Sequence, residues 1–323
     1  MTNLLRRIWR SVLFLVYFFS IAVFVQGCTP DSHQQPESGP FTYQPDSSLT
    51  RAEQNTETRF ARAIRENLNV FVAAYRWQWL KVINTDNARE LFHDYAPDGI
   101  DVQSETNTKY RTRNALGTQS PARALAMEVY RRMLEEAPRD GEQPLVVFTA
   151  GGAGSGKSTS VNAIPQLEQS VQKAQIVVDT TLSSEGALDQ IQMALDAGKS
   201  VTIYYIYRDP ESAFESVLER ASGTGRPVTV SNFIATHLGA LDAVNVIGER
   251  FRQHIVDENI KIIVVNNTGE FGKANIETDG ITFLQNQIKS QDREVLEKKF
   301  KARLKEHYEN GQITEILFNK SNR

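Results

Sequence analysis

The residues best suited to chemistry in this chain lie together at Gly151-Gly152-Ala153-Gly154-Ser155-Gly156-Lys157-Ser158, followed by Thr159. Their spacing, G-x-x-x-x-G-K-[ST], falls between a short apolar run, Leu145–Thr149, and a stretch of helical character beginning at Ser158. Glycines in such a turn let the backbone wrap an anion with its N–H groups facing inward. The helix that follows points the positive end of its dipole at the same anion. Lys157 then reaches the β- and γ-phosphates, and the Ser158 hydroxyl is placed to ligate Mg²⁺. The motif in this context implies a nucleoside triphosphate site over Gly151–Thr159, with ATP and Mg²⁺ as the expected cofactors.

Further positions invite roles. Asp179 ends the apolar run Ile176-Val177-Val178, so its carboxylate is expected at the carboxyl edge of a sheet, where ligands of α/β proteins bind. There it could hold Mg²⁺ through water, accept a proton from a substrate hydroxyl, or simply cap the next element. Arg220 and Arg226 flank Ala-Ser-Gly-Thr-Gly, which reads as a mobile loop after a helix. Arginines there could close over a γ-phosphate and stabilise charge during transfer; the alternative is ordinary surface arginines. His237, in Phe-Ile-Ala-Thr-His, reads as structural more readily than catalytic.

The elements that must position these residues fall into two stretches. From Pro144 onward strands alternate with helices. Strands are expected at Leu145–Thr149, Gln175–Val178, Val201–Tyr207 and Ile260–Val265. Helices are expected at Ser158–Gln172, Glu185–Ala197, Pro210–Ala221, Asn232–Arg252 and over 288–309. That rhythm implies an α/β fold with a mostly parallel sheet covered on both faces. Upstream, residues 51–82 place Phe60, Ile64, Leu68, Phe71, Val72 and Tyr75 at helical spacing, and Thr50 with Glu53 fits a capping box. Trp77 and Trp79 read as core anchors. Helices are also expected at 86–95 and 120–137, with the polar stretch 96–118 as a solvated connection between them.

The first 28 residues have a different character. Arg6, Arg7 and Arg10 precede an apolar run, Val12–Val25, broken only by Ser20. Fourteen residues of helix rise about 21 Å, short of the ~30 Å hydrocarbon core, which suits an export signal better than a stable span. The run closes on Val25-Gln26-Gly27-Cys28, similar to a bacterial lipoprotein signal whose cysteine is lipidated, although Gln26 departs from the usual small residue. The chain is thus expected to be membrane-anchored through Cys28 and to face the extracytoplasmic side. Residues 29–50, rich in Pro, Ser, Gln and Asp, read as a flexible linker. Cys28 is the single cysteine of 323 residues, so an intramolecular disulfide and a Cys-rich zinc site are excluded. Hydrophobic residues at 40% and charged residues at 23% are globular proportions. The net charge of −3 would be more negative still without the arginine-rich start, which argues against nucleic acid as a partner.

Taken in order, VVFTAGGAGSGKST, VVDTTLSS, ALDAGKSVTIYYIYRDPESAF, LERASGTGRPVTV and THLGAL resemble the zeta-toxin family of P-loop kinases over roughly 120–275. The resemblance implies a doubly wound P-loop kinase fold over 138–323, preceded by a small helical region over 51–137. It implies ATP- and Mg²⁺-dependent phosphorylation of a small-molecule hydroxyl, in characterised members that of a UDP-activated amino sugar, and it leaves room for a protein antitoxin. Carried over by position, Lys157 and Ser158 serve ATP and metal, Arg220 and Arg226 match the two phosphate-contacting arginines, and the Asn266–Gly269 turn lies near the adenine. Well-studied members bear their catalytic base on an extra acidic strand after the P-loop helix. Only 22 positions separate Lys157 from Asp179 here, and one strand is legible between them. On this reading Asp179 takes over as base, Glu185 assists, or the substrate differs. The competing reading is a membrane-tethered nucleotide-binding module without transfer activity.

Overall fold

A computed structural model of the chain describes residues 41–322, apart from 102, 184, 270–272 and 290. The export-signal segment with Cys28, and residues 29–40, lie outside the described residues. The described body begins ten residues earlier than the expected linker end. Phe41 and Leu49 are already buried, and the Asp46 N–H donates to Glu57 Oε1 (3.1 Å), so 41–50 packs as a strap along the first helix.

That helix, α1 (Arg51–Glu66), starts at the expected capping box: Glu53 N–H donates to Thr50 Oγ1 while Thr50 N–H donates back to the Glu53 carboxylate. The helical run breaks at Asn67 (φ −134°, ψ 36°) and resumes as α2 (Leu68–Trp79). Phe60, Ile64, Leu68, Val72 and Tyr75 turn inward. Trp77 does not: it is 76% exposed, so only Trp79, stacked at a tilt on Tyr75, behaves as an anchor. Leu80, at φ 54°, then turns the chain into a two-residue strand, β1 (Val82–Ile83), and a short helix, α3 (Thr85–Arg89), capped by Asn84.

The polar stretch 96–118 is not a solvated connection. It contains α4 (Glu105–Asn114), which buries Asn107, Arg111, Thr112 and Asn114. These side chains are polar but paired, so no apolar periodicity marks the helix. After α5 (Gln119–Leu134) come β2 (Gln143–Ala150), α6 (Lys157–Ala163), α7 (Pro165–Lys173), β3 (Ala174–Asp179), α8 (Glu185–Asp196) and β4 (Ser200–Tyr207). The single helix expected over 158–172 is split by Pro165, which begins α7. The chain continues through α9 (Pro210–Thr224), α10 (Val230–Arg250), α11 (Arg252–Val256), β5 (Ile260–Asn266), β6 (Asn275–Ile276), α12 (Gly280–Lys289), α13 (Arg293–Glu309) and α14 (Glu315–Ser321).

The strands form one sheet in the order β1-β3-β2-β4-β5-β6, parallel except for β6. From β2 the chain goes outward to β3 on one side and then to β4 on the other, so β2 ends at a switch of direction where ligands bind. The helical region and the sheet share one core: Phe60, Tyr75, Leu125 and Tyr130 pack in the same cluster as Phe148, Ile176, Ile203 and Tyr205. Residues 41–323 form one compact unit, with no boundary at 137/138. Among the described residues no strand lies between the P-loop helix and β3; the sheet instead gains a short strand from upstream. β1 lies outside β3, with Ile83 opposite Val178. Two residues are too few for a periodicity to reveal.

Candidate active site

The site is built at the carboxyl ends of β1, β3, β2 and β4. β2 ends at Ala150, and the loop turns through Gly151 (φ 135°) and Gly154 (φ 76°) into α6. A Cβ on Gly154 would run into the Ala213 carbonyl, so the loop can lie on α9 only as glycine. Three contacts fix its shape. Asn267, just past β5, donates from Nδ2 to the Ser155 carbonyl (2.8 Å). Arg208 Nη1 reaches the Gly154 carbonyl (3.4 Å), and Ser155 N–H donates to the Gly152 carbonyl (3.2 Å). The turn after the last parallel strand therefore braces the P-loop directly. Ser158 is exposed at the start of α6, with Thr159 half-buried behind it.

Lys157 bends back over its loop. Its Nζ donates to the Gly151 carbonyl (3.2 Å) and lies 3.9 Å from Asp179 Oδ1. Asp179 stands opposite Thr149 in the register of β2 and β3, and the Thr149 hydroxyl donates to Oδ1 (3.4 Å). Asn84, one residue past β1, donates from Nδ2 to Asp179 Oδ2 (2.6 Å). The Tyr75 hydroxyl in turn accepts from the Asn84 N–H (2.7 Å) and lies 3.0 Å from the Val82 carbonyl, locking the end of β1 in place. Burial holds that phenol well above its ordinary range, so it stays neutral. The loop after Asp179 carries Leu182, buried at φ 56°, a strained position of the kind that collects at functional sites.

The residue that sequence reasoning missed is Asp86. It stands in the first turn of α3, and its side chain keeps about a third of its surface accessible. Arg89 Nη1 lies 2.9 Å from Oδ1, and Arg226 Nη1 lies 3.5 Å from Oδ2. Burial alone would push this carboxyl up, but Arg89, Arg226, Arg220 and Lys157 together hold it below the usual carboxylate range. Lys157 feels the converse: burial and Arg220 lower it, while Asp179 and Asp86 raise it. Asp86 and Asp179 thus share one electrostatic field with the P-loop lysine and Arg220. The only signal for Asp86 was Asn84-Thr85-Asp86, a capping sequence with no motif attached.

Arg220 is exposed near the end of α9. Arg226 is not on a mobile loop. α9 runs to Thr224 and is capped by Gly225 (φ 71°), whose carbonyl accepts from Thr112 Oγ1 of α4 (2.9 Å). Arg226 Nη2 pairs with Glu90 Oε1 (2.5 Å), and Glu90 Oε2 accepts from Arg111 (2.6 Å). Glu90 and Arg111 are both essentially inaccessible. A buried carboxylate shared by two guanidiniums fixes Arg226 in orientation, because losing either partner would strand a charge in the interior. The helical region clasps this arginine from outside.

For a metal, the protein offers the Ser158 hydroxyl and the Asp179 carboxylate, with Asp86 nearby. Among the described residues, no group of three or more His, Cys, Asp or Glu side chains could hold an ion. So sparse a donor set suits Mg²⁺, which keeps several waters and binds largely through phosphates.

A P-loop at the switch point of a mostly parallel sheet, with a lysine, two carboxylates and two arginines converging on it, defines a P-loop kinase fold. Residues 167–272 match the zeta toxin family, a stretch that begins after the P-loop helix and so is independent of the glycine motif. Over that stretch the chain is similar to zeta toxins, and the P-loop that precedes it completes a P-loop kinase-like fold. No curated protein matches the chain. Among solved structures, the native AvrRxo1-ORF1:-ORF2 complex is 15% identical, covering 58% of this chain and 79% of that one, with a TM-score of 0.36. The same complex with ATP is 16% identical over 68% of this chain and 91% of that one, at 0.37. With sulphate ions it is 17% identical over the same shares, at 0.36.

Proposed function

We propose that the protein transfers the γ-phosphoryl group of ATP, with Mg²⁺, to the hydroxyl of a small molecule, and that Asp86 is the general base. The observation that carries this reading is the upstream acid. Asp86 is accessible, is held ionised by four cations, and shares the field of Lys157 and Arg220. A carboxylate so placed beside the P-loop lysine is positioned to take a proton from an incoming hydroxyl, a role beyond its pairing with Arg89 and Arg226. In this scheme the P-loop N–H groups and Lys157 hold the triphosphate. Ser158 and Asp179 hold Mg²⁺, which neutralises charge on the phosphates when bound. Arg220 and Arg226 stabilise the transferring group, and Asp86 accepts the proton of the acceptor hydroxyl.

The likeness to zeta toxins makes a UDP-amino sugar the first acceptor to test and a protein antitoxin the first partner. The Val25-Gln26-Gly27-Cys28 sequence supports a lipid anchor on the extracytoplasmic side of a membrane. Full chain mixed with Mg-ATP and a panel of UDP-sugars, followed by phosphorus NMR, should give a new phosphomonoester signal that Lys157→Ala lacks. ATP bound and left intact, with every acceptor unmodified, would overturn the transfer reading in favour of a binding module.

A further inference from the structure

His237 lies on α10 with only 3% of its surface exposed, and it is in contact with the P-loop. A Cβ on Gly152 would overlap Nδ1 of its ring, so the backbone at Gly152 rests directly on the imidazole. Phe233 stacks on the ring at 5.6 Å and 25°, and Tyr207 flanks it at 6.4 Å. Neither Nδ1 nor Nε2 has a hydrogen-bond partner among the described residues. A phenylalanine would fill this aromatic slot without burying two polar atoms. An imidazole there is destabilising in the structure at hand unless another state of the site uses it.

The P-loop is braced at Gly154 and Ser155, so adjustment to a ligand falls to its entry around Gly152, which rests on the ring. The loop's backbone N–H groups face phosphate when a nucleotide is wrapped, and Gly152 lies near the start of that turn. We propose that His237 is a positioning residue of the nucleotide site: a ring nitrogen pairs with the P-loop backbone around Gly152 when the loop closes on a triphosphate, and so holds the loop in its phosphate-binding shape. This rests on the reading of Gly151–Thr159 as a triphosphate site. It gives the ring a role that packing alone does not.

The test is ATP and ADP binding to the full chain by calorimetry, comparing wild type with His237→Phe and His237→Gln. His237→Phe keeps the aromatic stack and removes the nitrogens. It should fold with at least wild-type thermal stability yet bind ATP about tenfold more weakly, as befits one lost hydrogen bond in a buried site. His237→Gln, which restores a polar atom, should recover part of that loss. His237→Phe binding ATP as tightly as wild type would overturn the assignment and leave the ring as packing. Wild type that binds no ATP would instead sink the nucleotide site itself, and this role with it. Should His237→Phe fail to fold, the ¹⁵N shifts of the wild-type ring decide: they should move on adding ATP, and unchanged shifts would overturn the proposal.

Discussion

Asp179 ends β3 and Asp86 opens α3 just past the neighbouring strand β1, yet their surroundings assign them different work. Asp179 is held by Asn84, Thr149 and the nearby Lys157, which suits a carboxylate fixed in place beside a metal. Asp86 faces cations that a bound triphosphate would itself neutralise. Asp86→Asn should therefore lower kcat by about 10²–10⁴ with little change in ATP affinity, the size of a lost general base. Asp179→Asn should instead raise the Mg²⁺ concentration needed for half-maximal rate; equal effects of both substitutions on kcat and Mg²⁺ demand would refute the division. The pH dependence has a definite sign. The base works deprotonated, so rate rises with pH through its pKa and then levels off. Arg89, Arg226, Arg220 and Lys157 hold that pKa below the usual carboxylate range in the empty enzyme, so the acid limb of kcat/KM should lie at low pH. Triphosphate charge weakens that hold, so the acid limb of kcat should sit at higher pH than that of kcat/KM.

His237 adds a second proton-linked effect. Burial lowers its pKa to about 4, against a small opposing influence of Asp209. A histidine buried neutral binds fewer protons than its unfolded counterpart between about pH 4 and 6.5, so it makes stability rise with pH across that window. His237→Phe should flatten that part of a stability–pH curve measured by urea unfolding. An unchanged slope would mean that other groups set it.

At the scale of elements, the decisive contact is α4 against the end of α9. Gly225 is at φ 71°, and a Cβ there would meet the Thr108 carbonyl. Gly225→Ala should therefore cost roughly 1–3 kcal/mol of stability and displace Arg226 from Glu90. Activity should fall more than ATP affinity does; full activity in a destabilised variant would show that Arg226 needs no such clasp. The sequence made parts of this architecture plain. β2, β3, β4 and β5 are buried runs of β-branched and aromatic residues, and Thr50 with Glu53 announces α1. It could not show β1, whose two residues carry no period, nor α4, whose inward face is Asn107, Arg111 and Thr112. Both are held by tertiary pairing rather than by apolar pattern. Between them they supply or fix Asn84, Asp86 and Arg226, which is why the P-loop half of the site was legible and the acceptor half was not.

Over the whole molecule, the two ends of the described chain are latched together. Lys320 of α14 lies 3.0 Å from Glu53 Oε1 of α1 and donates to the Arg113 carbonyl (2.9 Å). Burial would raise the Glu53 carboxyl, but Thr50 and Lys320 hold it at about 2. Its stabilising share is present above its ordinary pKa and is lost as pH falls toward 2. Lys320→Met should lower the thermal midpoint by several degrees at neutral pH, consistent with roughly 1–2 kcal/mol for a partly buried charged pair. A midpoint that does not move would show the latch to be idle. The long apolar helix α10 belongs to this whole as well: by length and composition it could cross a membrane, but half of that window is buried inside the fold, with Phe233, Ala240 and Leu241 in its cores.

The order in which the site is encoded has its own consequence. Asn84, Asp86 and Glu90 precede the exposed turn at Asp140-Gly141, whereas the P-loop, Asp179 and both arginines follow it. A nick at that turn would sort the acceptor-activating groups onto one fragment and the phosphate-holding groups onto the other. Each fragment alone should be inert, and the two expressed from separate genes should regain turnover only on meeting, which makes this chain a natural candidate for a split reporter.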